Sequence, residues 1–277
     1  MYCIYSNSEI NKKDATLQHI IPLSMGGVNS FSIYIDRKIN STLGSKVEGT
    51  LINEFTMKIK QMHYEITGQS NSTPQMKMQG SIDGKPISIK WGKNKIDLFD
   101  PIKKEHLQGK QAVTLRTQID LFSRLRFAAK VALEAGFFLF GKRFVEHADC
   151  DTLRKATFCE DFEKEQLDLL FYDNLHPIEE KDKSMHGIIK LLIEQMGSSS
   201  VVFGFAEGRL IVHIGIMGEW LSTINFSAQT EHFPIMEDSF RLGRVILCKE
   251  ELYQDSLYNA IYELNKYLNI VKIDEPI

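Results

Sequence analysis

Cysteine is scarce in this chain. Cys3, Cys150, Cys159 and Cys248 are scattered without the Cys-x-x-Cys spacing of a metal site, so they are expected to be reduced, structural thiols. Long apolar runs are missing as well. Nothing approaches the ~18 consecutive apolar residues needed to span a bilayer, and no membrane role is expected. The opening Met1-Tyr2-Cys3-Ile4-Tyr5-Ser6 lacks the basic start and apolar core of a secretion signal, which points to the cytoplasm. There is no Walker loop, dinucleotide fingerprint, Ser-centred nucleophile elbow or internal repeat, so no organic cofactor is expected.

An excess of positive charge is also lacking overall, with a net charge of −3 over 277 residues. That average conceals a division along the chain. Residues 1–75 carry 7 basic against 6 acidic side chains, residues 76–155 carry 16 against 9, and residues 156–277 carry 10 against 21. A basic middle can grip a phosphate backbone. An acidic C-terminal third is a poor nucleic-acid surface and better suits a protein partner or a homo-oligomer. With 43% hydrophobic residues the chain can bury a substantial core. The expected organisation is a unit at 1–68, a basic strand and helix region at 76–155, and an acidic α+β region at 156–277.

The most specific feature is Gln18-His19-Ile20-Ile21-Pro22, followed by Gly26-Gly27, Asn29 and Asn40-Ser41-Thr42-Leu43-Gly44-Ser45. Taken singly, each part is ordinary. A glycine pair makes a turn, an asparagine makes a helix N-cap, and a histidine beside an apolar run is most often structural. The constellation carries the signal. It resembles the HNH (ββα-metal) endonucleases, in the subgroup where a second asparagine replaces the last histidine.

The resemblance covers roughly the first 55 residues and implies a ββα-metal fold. It implies that His19 is a general base taking a proton from the attacking water, and that Asn29 ties down the loop and orients the ring. Gln18 and Asn40 would hold a divalent cation, Mg²⁺ or Mn²⁺, through side-chain oxygens. The residue before the histidine is usually acidic in this family, and here it is Gln18, a neutral amide that brings no charge to a hard cation. The paired zinc cysteines of many relatives are also missing. No structural zinc is therefore expected, and apolar packing must hold the unit.

Strands are expected over 15–22 and 31–35, and a helix over 41–66 from the spacing of Leu43, Val47, Leu51, Phe55, Ile59 and Met62. Residues 69–74 read as a linker. Alternation over 76–99 predicts two or three strands, with Lys77, Lys85, Lys90, Lys93 and Lys95 lining one side together with Trp91. A helix is predicted over 112–140, stopped by Gly141. Arg124, Arg126, Lys130, Lys142 and Arg143 are the candidate phosphate contacts. Beyond it come a short helix at 188–196, a hairpin around Glu207-Gly208, a third strand at 222–226 and a closing helix at 250–268. His213 and His232 read as isolated.

The whole is expected to be an α+β protein with an N-terminal ββα-metal unit, hydrolysing DNA phosphodiester bonds in phage defence or DNA processing. The alternative is a degenerate module of the same family that binds nucleic acid or a partner protein without cutting it.

Overall fold

The structure is a computed structural model that describes residues 1–67, 74–92, 95–109, 112–115, 117, 119–162, 164–176 and 183–268. The expected linker tract and Lys93 lie outside these residues apart from Pro74. Helices and antiparallel sheets mix throughout, in the expected α+β class. Among the described residues no helix is long and apolar enough to cross a membrane.

The N-terminal part opens with a small ribbon, Tyr2–Cys3 (β1) on Ser8–Glu9 (β2). A second antiparallel pair follows, Ala15–His19 (β3) on Ser32–Asp36 (β4), in a register that runs from Ala15 opposite Asp36 to His19 opposite Ser32. Ile33 and Ile35 alternate inward, while Leu17 and Tyr34 stay exposed.

The helix predicted over 41–66 starts earlier and is broken. Asp36 caps it by accepting from the backbone N–H groups of Lys38 and Ile39, so Asn40 falls inside the first helix, Arg37–Thr42 (α1), and is not its cap. Leu43–Glu48 then winds as a π-helix, followed by Gly49–Ile52 (α2). A break at Asn53-Glu54 precedes Phe55–His63 (α3).

The middle of the chain forms a five-stranded sheet and the central helix. Met76–Ile82 (β5), Lys85–Gly92 (β6), Lys95–Asp100 (β7), Glu105–Leu107 (β8) and Thr114–Leu115 (β9) form that sheet in the order β8-β7-β6-β5-β9. Cross-strand pairs put Lys77 opposite Lys90 and Met76 opposite Trp91. Because successive residues face opposite sides of a sheet, Trp91 lies on the face away from Lys77 and Lys90, against Phe55. The expected grouping of Lys77 and Lys90 with Trp91 is corrected accordingly, whereas Lys85, six residues before Trp91 in the same strand, shares its face.

The central helix, Leu121–Phe140 (α4), begins at an Asp120 cap and ends at Gly141, whose φ of 58° takes the left-handed region. It starts later than predicted, because Thr114–Leu115 pairs in the sheet. Between Phe127 and Gly136 it is buried on every side, as expected of a helix apolar all round. Lys142–His147 (α5) and Cys150–Phe158 (α6) follow.

Leu169–Asp173 (β10), Ser199–Ala206 (β11), Arg209–Ile216 (β12), Glu219–Ser227 (β13), Gly243–Cys248 (β14) and Leu252–Ser256 (β15) make a six-stranded antiparallel sheet in the order β10-β13-β12-β11-β14-β15. Lys183–Met196 (α7) and Leu257–Leu268 (α8) complete the fold, and the residues before Leu257 that were predicted helical pair instead as β15. The hairpin predicted around Glu207-Gly208 is β11–β12.

Ile20, Ile35 and Leu43 share one hydrophobic cluster with Phe127 and Leu133 of α4 and with Val201, Phe203 and Ile224 of the six-stranded sheet. The boundary expected at 155 thus runs through a common core. A second cluster joins Ile189, Leu192 and Ile193 of α7 to Leu257 and Leu264 of α8, with Val202, Trp220 and Val245 of the sheet.

Candidate active site

β3 ends at His19, and the chain then turns sharply through a 3-10 segment at Leu23–Met25. Two glycines make this turn possible. Gly26 sits at φ 78°, and a Cβ on Gly27 would lie 1.8 Å from the carbonyl oxygen of Ile21. The Gly27 N–H instead donates to the Pro22 carbonyl at 3.1 Å. The six-stranded sheet braces the loop from below: the Ser199 hydroxyl donates to the Met25 carbonyl at 2.6 Å and accepts from the Met217 N–H at 2.8 Å. The C-terminal region therefore supports the loop that follows His19.

Asn29 lies 3.0 Å from His19 through its Oδ1 and the ring Nε2. A carboxamide oxygen only accepts, so this contact places the proton on Nε2 and leaves Nδ1 as the nitrogen able to take another. Across the β3 backbone, Asn40 Nδ2 donates to the Leu17 carbonyl at 3.0 Å, leaving its Oδ1 without a partner among the described residues. Gln18, His19 and Asn40 line a single cleft of about 340 Å³ together with Leu17, Pro22, Leu23, Ser24, Ile52 and Glu48.

Glu48 does not figure among the sequence candidates. Gln18 is buried, and its Nε2 donates to Glu48 Oε1 at 2.6 Å. The π-helical winding of Leu43–Glu48 brings this carboxylate to the cleft. In that turn the Gly49 N–H reaches back to the Gly44 carbonyl, and a Cβ on Gly49 would stand 2.8 Å from the same oxygen. Single π turns inside helices recur at functional sites. No break in the apolar period marks it, since Leu43, Val47 and Leu51 keep a spacing of four straight through the π turn.

Lys130 reaches this site from the centre of α4. Its fully buried ammonium donates to the carbonyls of His19 and Ile20, each at 2.7 Å, and pairs with Glu48 Oε1 at 2.9 Å and Glu134 Oε2 at 3.0 Å. Burial opposes its charge, but the two carboxylates outweigh this and hold its pKa above the ordinary lysine value. Burial pushes the Glu134 carboxyl up to about 7 against the pull of Lys130 and of the Tyr5 hydroxyl, which donates to it at 2.7 Å.

The five candidate phosphate contacts separate sharply. Arg124 is 1% exposed and paired with Glu54 at 3.0 Å, with further donation to Asn174, so it fixes the α2–α3 break. Lys130 is equally inaccessible. Both expectations are corrected: their charge is spent inside the protein. Arg126 is half-buried, donating to the Cys159 carbonyl at 2.6 Å. Lys142 and Arg143, at the start of α5, are exposed.

No group of three or more His, Cys, Asp and Glu side chains able to hold a metal occurs among the described residues. The cleft offers a different donor set, one carboxylate with two carboxamides. Such a set suits a hard cation shared with a substrate phosphate better than a closed protein cage. The four cysteines are free and buried, with Cys3 Sγ accepting from the Asp36 N–H at 3.4 Å.

The model of a family described as HNH endonuclease matches residues 3–56, a span that holds β3, β4, the π turn and Glu48. No curated protein and no solved structure matches the chain.

Proposed function

We propose that this chain, whose residues 3–56 form an HNH-family unit, is a divalent-metal-dependent endonuclease that hydrolyses DNA phosphodiester bonds. The observation that carries the reading is the pairing of His19 with Asn29 on one wall of a polar cleft that also holds Gln18, Asn40 and Glu48.

In this reading the Nδ1 of His19 accepts a proton from the attacking water, and Asn29 fixes the ring that does so. Gln18 and Asn40 offer side-chain oxygens to Mg²⁺ or Mn²⁺. Such an ion, when bound, stabilises charge on the scissile phosphate and the departing oxygen. Lys142 and Arg143 remain candidates for holding the phosphate backbone away from the cleft, since both are exposed. Both lie past Gly141, beyond the end of α4, whose last residue Phe140 stands about 15 Å along the axis from Lys130 at about 1.5 Å per residue.

The test is nicking of supercoiled plasmid by the full chain with Mg²⁺ or Mn²⁺, beside His19→Ala. Metal-dependent cutting that disappears in His19→Ala supports the reading. Undiminished cutting by His19→Ala overturns it. Binding of DNA without any cutting favours the binding module.

A further inference from the structure

Position 18 is occupied by an amide, so the strand that carries His19 brings no negative charge to the cleft. The charge present comes from the helix. Glu48 is the one carboxylate that lines the cleft among the described residues, and its side chain is 13% exposed. Its two oxygens are not equivalent. Oε1 is occupied twice, by Gln18 Nε2 at 2.6 Å and by Lys130 Nζ at 2.9 Å, whereas Oε2 has no hydrogen-bond partner among the described residues. A carboxylate fixed through one oxygen and open through the other is pre-organised to bind a cation.

The same contacts orient Gln18. Donating its amide nitrogen to Glu48 leaves Oε1, the only atom of that side chain able to meet a cation, without a partner among the described residues. Lys130 links both walls of the cleft, because one ammonium holds the Glu48 carboxylate and the carbonyls of His19 and Ile20. It comes from α4, outside residues 3–56.

We propose that Glu48 is the anionic ligand of a divalent cation in this cleft, taking over the charge that Gln18 lacks, and that Lys130 is the positioning residue that fixes Glu48 relative to His19. The inference rests on the endonuclease reading for its purpose, but its measurement is independent of cleavage.

The experiment is Mn²⁺ titration of the full chain, followed by calorimetry and by the loss of the free-ion electron paramagnetic resonance signal. Thermal melting of each variant serves as the folding control. Glu48→Gln should weaken Mn²⁺ binding at least ~10-fold. The Gln18→Glu/Glu48→Gln double variant keeps the hydrogen bond with donor and acceptor exchanged and returns the charge to the cleft. It should recover affinity to within about 3-fold of the parent, a rescue that a purely structural Glu48 would not give. Lys130→Arg, which keeps a buried cation, should bind Mn²⁺ more nearly like the parent than Lys130→Met does.

Parent-like binding by a folded Glu48→Gln overturns the proposal, as does absence of Mn²⁺ binding by the parent. If Glu48→Gln does not fold, the double variant decides: failure to bind Mn²⁺ while folded overturns it. Mn²⁺ held through Glu48 with no plasmid cutting would sink the endonuclease reading alone. Cutting that needs His19 but ignores Glu48 would sink this proposal alone.

Discussion

Lys130 Nζ lies 2.7 Å from the carbonyl oxygen of His19 and 2.7 Å from that of Ile20. These carbonyls stand where β3 leaves its partner strand and need a donor from elsewhere. The donor is a charged group on α4, which compensates Glu48 and Glu134 at the same time. The strand end, the π turn and the central helix thus meet at one nitrogen.

Lys130→Met should therefore be costly. It removes one partner from a buried ionic cluster and strands two carbonyls and two carboxylates, a change worth about 3–5 kcal/mol. Urea unfolding of the full chain measures it. A loss below about 1 kcal/mol would mean that water reaches these oxygens and that the cluster does not organise the site.

Arg124 makes the converse case. Its guanidinium is engaged by Glu54, Asn174 and Thr56, so Arg124→Met should destabilise the fold by about 3–5 kcal/mol. DNA affinity of the folded fraction should keep its salt dependence. Lys142→Ala with Arg143→Ala should leave stability within about 0.5 kcal/mol. If these residues contact phosphates, the slope of log affinity against log salt falls by about 2. An unchanged slope for that pair would move the DNA surface elsewhere.

The elements built from local pattern were legible in the sequence. The β3–β4 pair, the Gly26-Gly27 turn, the stop at Gly141 and the β11–β12 hairpin follow from alternation and glycine placement. Asn29, Gln18 and Asn40 were found beside His19 because they recur in a known pattern. Glu48 was not, because its approach depends on a π turn that no simple period reveals. Arg124 and Lys130 were misread for a related reason. Charge counted along a sequence says nothing about which face of a helix is covered, and segments distant in sequence cover α4 at Arg124 and all round from Phe127 to Gly136.

The glycine pair offers a stability test without charge. A Cβ at Gly27 would stand 1.8 Å from the Ile21 carbonyl oxygen, a contact that backbone must move to relieve, so Gly27→Ala should cost at least about 3 kcal/mol. Gly44 has nothing within 4 Å of its Cβ position and lies in helical backbone, so Gly44→Ala should be neutral or stabilising by up to about 1 kcal/mol. Chemical denaturation of the two variants checks the contrast. Equal effects would show that the loop yields easily.

His213 and Glu134 pull the pH dependence of stability in opposite directions. Burial, with the neighbouring His186, lowers the folded pKa of His213 from 6.5 to about 3, while burial raises that of Glu134 from 4.5 to about 7. Between pH 3 and 6.5 the unfolded chain binds a proton at His213 that the folded chain does not, so this residue makes stability rise with pH in that window and costs stability as pH falls through it. Between pH 4.5 and 7 the folded chain keeps a proton at Glu134 that the unfolded chain has released, so Glu134 makes stability fall as pH rises. The two nearly cancel from pH 5 to 6.5, so their joint contribution to the parent profile is close to flat there. His213→Gln removes one side of the balance. Its unfolding free energy should decline with rising pH across that interval, on the order of 1 kcal/mol per pH unit relative to the parent. Urea titrations at half-unit pH steps measure both slopes, and parallel profiles would show that His213 is protonated inside the folded protein.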